Sequence, residues 1–155
     1  MPGSYTTLTL DDAKRMLQAG EAAAASIGIA YNIAEVDAGG NLLAFVRQDG
    51  ALIGSIDLAI GKAVTARLFD QSTSELAQSA LPGMPLFGIQ QSNGGRIVIF
   101  GGGLPVRIGD SIVGAVGASA GTVEQDIAVA EAALTAISKH YGSSASGEGS
   151  TTHPS

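Results

Sequence analysis

Apolar positions recur at helical spacing through Leu10, Ala13, Leu17 and Ala24, and Thr9 followed by Asp12 supplies a cap and a first-turn acid. Gly28 is a stop signal, so the pattern predicts a helix over 9–27. The spacing then shortens. Residues 29–37 and 42–48 read as strands joined by the hairpin turn Ala38-Gly39-Gly40-Asn41, with Asp49-Gly50 closing the second. Helical spacing returns through Ile56, Ala59, Ile60, Ala63, Val64 and Leu68, with Ser55 as a candidate cap. Ser72 or Thr73 opens a shorter helix to about Ala80. Residues 81–95, rich in Gly and Pro, read as a long irregular loop of a kind that is often functional.

Residues 96–100 read as a strand, interrupted by Gly101-Gly102-Gly103-Leu104-Pro105. Residues 106–108 and 111–119 form a further hairpin across Gly109-Asp110. Gly114 and Gly117 leave room for another backbone or a ligand. Thr122 with Gln125 is a capping box, and an alanine-rich helix follows to about His140. Strands arriving in hairpins predict an α+β domain: a five-stranded antiparallel sheet with packed helices, spanning 5–141. Residues 142–155 lack apolar content and read as a disordered tail.

Composition narrows the function classes. The chain of 155 residues has no cysteine, which removes disulfides and thiolate chemistry and fits a cytoplasmic protein. The net charge is −6 and the eight Lys and Arg are scattered, so nucleic acid is not an expected partner. No apolar run reaches membrane-spanning length, and the first residues lack a secretory pattern.

The candidate residues lie at the turns and strand ends. Asp37 flanks the first glycine turn, where local turn bonding is the plain reading and ligand binding the other. Arg47 and Asp49 share a strand end, suited to a salt bridge, or to an arginine clamp on a carboxylate or phosphate beside a proton acceptor. Lys62 is the only charge between Asp57 and Arg67, a snorkelling lysine or an enclosed acid, base or anchor. Gly101, Gly102 and Gly103 form a bulge or present N–H groups to an anion. Gly117, Ser119, Gly121 and Thr122 line the end of the last strand. Glu124 and Asp126 complement the helix dipole, and Glu124 is the candidate general acid or base. Two carboxylates do not specify a metal, and none is expected.

Four strings carry a resemblance: VDAGGNLLAFVRQDGA (36–51), AIGKAVTARLF (59–69), GGGLP (101–105) and VGAVGASAGTVEQD (113–126). In this order the chain resembles the GlcG/HbpS family of haem-binding and haem-degrading type, related to the C-terminal domain of PduO, over about 6–141. The resemblance implies a profilin-like fold and a homo-oligomer built from dimers. It implies a small-molecule ligand, planar or acidic, haem among the candidates. Some similar proteins are cofactor-free lyases acting on small aromatic hydroxylamines, so a lyase or isomerase working by acid-base catalysis on a small carboxylated substrate is the alternative. The sequence departs from the family at A-S-A-G (118–121), where S-G-G is usual. Within 5–141 it has one histidine, His140, with Met16 and Met84 as the other candidate iron ligands; His153 lies in the tail.

Overall fold

A computed structural model describes residues 1–146. The elements are α1 (Leu10–Ile27), β1 (Asn32–Asp37), β2 (Leu42–Arg47), α2 (Ser55–Phe69), α3 (Thr73–Ser79), β3 (Gly103–Ile108), β4 (Ser111–Ser119) and α4 (Val123–Ser146). The four strands form one antiparallel sheet in the order β2-β1-β4-β3. Thr9 caps α1 through a reciprocal box with Asp12, and Gly28 ends the helix in the left-handed region at φ 83°. Among the described residues no helix is long and apolar enough to cross a membrane.

The sheet is covered on both faces. Ile33 and Val116 face α1 and α4, where Met16, Val129, Ala133 and Ile137 complete one core. Ala34, Val36 and Ala115 face α2 and pack on Ala59, Ala63 and Ala66. α1 lies along α4, with Tyr141 Oη donating to Asp12 Oδ1 at 2.7 Å where the C-terminal part of α4 meets the start of α1.

Four strands stand where five were expected. Residues 96–100 do not join the ladder: the Val98 N–H is donated to the Thr65 hydroxyl at 3.0 Å, so this segment runs along α2. An apolar run packed on a helix has the same sequence signature as a strand. Gly103 instead opens β3, three residues earlier than the sequence pattern placed it. Ser55 does not cap α2; Gly54 holds that position without a side-chain bond, and Ser55 is the buried first residue. α4 continues to Ser146, past His140, so the reading of a disordered tail is replaced by helix over 142–146, and its remainder lies outside the described residues.

A carboxylic acid breaks the apolar pattern of the core on the α1/α4 face. Glu35, on the α1/α4 face beside Val116, is fully buried and neither carboxyl oxygen has a hydrogen-bond partner. Burial pushes its carboxyl well above the ordinary value of 4.5. Folding therefore takes up a proton above that pH, and stability falls as pH rises from 4.5 toward the folded value. Glu35→Met should stabilise the protein by about 1–3 kcal/mol at neutral pH, with the gain growing as pH is raised. Urea unfolding across that range checks it; equal slopes in both proteins would refute it.

Candidate functional site

α2 crosses the sheet almost in backbone contact, because the residues beneath it have no side chains. A Cβ on Gly117 would strike the Ala59 carbonyl and lie 2.6 Å from the Ala63 nitrogen. One on Gly103 would strike the Lys62 carbonyl, and one on Gly102 would lie 2.8 Å from Lys62 Nζ. Gly102 adopts φ 122°, open only to glycine without strain. These glycines admit a helix and a lysine head, so the Gly101–Gly103 turn and Gly117 are filled by protein.

The close approach carries Lys62 to the end of β4. Its ammonium is buried, donating to the Ala118 carbonyl at 3.0 Å and to Asp126 Oδ2 at 2.7 Å. The ring of Phe100 covers it, centroid 4.7 Å away, as a cation–π contact. Asp126, in the first turn of α4, spends its other oxygen on three donors: Tyr31 Oη at 2.9 Å, Ala120 N at 3.1 Å and Gly121 N at 3.0 Å. Burial lowers the Lys62 pKa, and Asp126 opposes that shift. Burial and the bond to Asp126 hold the Tyr31 phenol well above its ordinary value. Phe100 is 38% exposed, so a half-open aromatic lid separates the buried amine from solvent.

Of the sequence candidates, Lys62, Gly102 and Gly121 come together here, with Gly101 and Gly103 in the adjoining turn. Glu124 is exposed on the outer side of the first turn of α4, and Thr122 forms the expected box with Gln125. Asp37 Oδ1 accepts from Gly39 N and Asn41 N, the local turn pattern. Asp49 is exposed in the turn after β2. Tyr31 and Phe100 gave no sequence signal, and Asp126 read only as a first-turn acid. The sequence points to Glu124 as the proton carrier, whereas the carboxylate that meets Lys62 is Asp126.

Arg47 and Ser119 belong to a second arrangement. Asn32 on β1 is the cross-strand partner of both, so Arg47, Asn32 and Ser119 form a row across three strands on the α2 face.

A third feature lies outside the sheet. Between α1 and α4 runs a shallow, open groove of about 700 Å³ whose lining includes Ala19, Ala22 and Ala136. Arg15, Lys139 and His140 stand at its edge, a concentration of basic groups on a chain of net charge −6. Among the described residues no group of three or more His, Cys, Asp or Glu side chains is arranged to hold a metal ion.

The profile of the family described as "Haem degrading protein HbpS-like" matches residues 8–135. The chain belongs to the HbpS-like family. A 15.0 kDa protein encoded in the dhaT-dhaS intergenic region of Citrobacter freundii is 47% identical over 133 residues, covering 86% of this chain and 94% of that one. Protein ORFY of Klebsiella pneumoniae superposes with a TM-score of 0.86 at 42% identity, covering 88% of this chain and 94% of the other. PduOC, solved in complex with haem, superposes with a TM-score of 0.82 at 32% identity, covering 84% and 95%.

Proposed function

We propose that this HbpS-like chain is a small-molecule-binding protein whose ligand is planar and acidic, haem being the candidate its relatives indicate. The carrying observation is the α1/α4 groove. The small side chains of Ala19, Ala22 and Ala136 leave room for a flat apolar body to lie across it, while Arg15 and Lys139 offer charge-assisted bonds to carboxylates. His140 is the only histidine among the described residues and stands in the same groove. Haem, when bound, supplies an iron that takes an axial ligand and propionates that take cations. His140 would hold the iron, and Arg15 and Lys139 would hold the propionates. Met16 is buried in the core, Met84 is not among the residues lining the groove and Tyr31 is committed to Asp126, so none of them competes for that role. A homo-oligomer built from dimers is part of the proposal, supported by the exposed apolar side chains of Leu52, Ile53 and Phe87, which a second copy would cover.

Titration of the protein with haem, followed at the Soret band, tests this reading. A saturable shift is expected. His140→Ala should move the band of the bound form, and Arg15→Ala with Lys139→Ala should weaken binding by about tenfold or more. Absence of a saturable shift, or identical titrations for all three proteins, would sink it.

One observation supports the alternative, acid-base catalysis on a small carboxylated substrate. Lys62 is a buried amine with a lowered pKa, paired with a carboxylate beneath a half-open lid, which suits a group that passes a proton. Glu124, exposed and outside this network, would have no part in that step unless a second copy or a ligand brought it there.

A further inference from the structure

Buried polar groups in folded proteins are nearly always hydrogen-bonded, so an orphan marks a missing partner. At the Asn32 end of the α2–sheet interface three polar side chains, Asn32, Ser119 and Ser55, are buried beside an alanine-rich core. Asn32 donates Nδ2 to the Leu52 carbonyl at 2.9 Å and leaves Oδ1 enclosed without a partner. Ala59 lies over Gly117, so Ser55, one turn earlier on α2, stands toward Ser119. On the open side is Arg47, exposed and outside both ion pairs found among the described residues.

We propose that this row binds a small carboxylic acid bearing a hydroxyl or amino group one or two carbons from the carboxylate. Arg47 takes the carboxylate, Asn32 Oδ1 accepts from the hydroxyl or amino group, and Ser119 completes the polar wall. The orphan atom decides the class: Oδ1 is an acceptor only, so a plain carboxylate would satisfy Arg47 and leave Asn32 unpaired. Directly opposed cross-strand side chains start about 4.5–5.5 Å apart, a span that a 2- or 3-substituted acid bridges. Arg47, exposed at the end of β2, marks the β2 side as the way in. Ser119 follows Ala118, whose carbonyl holds Lys62, so the row adjoins the buried amine. The proposal is independent of the groove and of His140.

The test is a two-dimensional NMR titration of ¹⁵N-labelled protein with lactate and salicylate, each against its counterpart lacking the hydroxyl, propionate and benzoate. At least one hydroxy acid should shift the Asn32 side-chain amide pair and the Ser119 backbone amide. Its counterpart should bind at least about tenfold more weakly. Arg47→Ala should abolish the shifts without changing the thermal unfolding, because Arg47 is exposed; Arg15→Ala should leave them intact. Equal shifts from acid and counterpart would overturn the proposal. So would stationary Asn32 and Ser119 signals with both hydroxy acids, which would leave an ordered water as the only partner of Oδ1.

Discussion

Asp126→Ala is expected to cost about 3–5 kcal/mol of unfolding free energy, among the largest effects of any side-chain truncation in this fold. The loss is not the worth of the ion pair. It is the cost of leaving the buried Lys62 ammonium without its counter-charge, together with Tyr31 Oη and two backbone N–H groups without their acceptor. Lys62→Met should cost much less, because Asp126 keeps three donors. The pH dependence separates the two causes. With Asp126 gone, burial acts unopposed on Lys62, so its folded pKa falls further below 10.5. The folded variant then binds fewer protons than the unfolded chain, and its stability rises as pH climbs from the folded value toward 10.5. Urea unfolding of the wild type, both single variants and the double variant gives the coupling directly. A loss below about 1 kcal/mol for Asp126→Ala would mean that the ammonium reaches water.

Gly117→Ala should be comparably damaging, by more than about 3 kcal/mol, although it adds one methyl group. The new carbon would sit against the Ala59 carbonyl and the Ala63 nitrogen, and a helix backbone cannot turn aside as a side chain can. Relief requires lifting α2 from the sheet, which opens the alanine seam along its length and draws Lys62 away from Asp126. The added carbon should therefore also raise the exchange rate of the Ala118 and Gly121 amides. Gly109→Ala is the control: nothing lies within 4 Å of a Cβ there, so only the strain of its positive φ is added. Similar losses at both positions would show that α2 yields.

Local patterning made most of the scaffold legible. α2 runs over the residues its apolar spacing marked, Thr9 caps α1 as read, and the Thr122–Gln125 box stands where it was read. Each depends on residues a few positions apart. Residues 96–100 misled because an apolar run registers burial, whereas strand pairing needs a neighbouring ladder that the sequence does not display. At the candidate site the same boundary applies. Lys62 stood out as an isolated charge on an apolar helix, but its partner is 64 residues away and Tyr31 meets Asp126 across 95. The orphan atom of Asn32 was invisible, since it is defined by contacts that fail to occur.

The reach of Lys62 has a mechanical consequence. α2 lies on one face of the sheet and α4 on the other, and the ammonium–carboxylate contact pins one layer to the other around the end of β4. Neither helical layer can peel away alone without exposing a charge in the interior. The two layers should open as one cooperative unit, and the lysine acts less as a surface decoration than as a rivet through the edge of the sandwich.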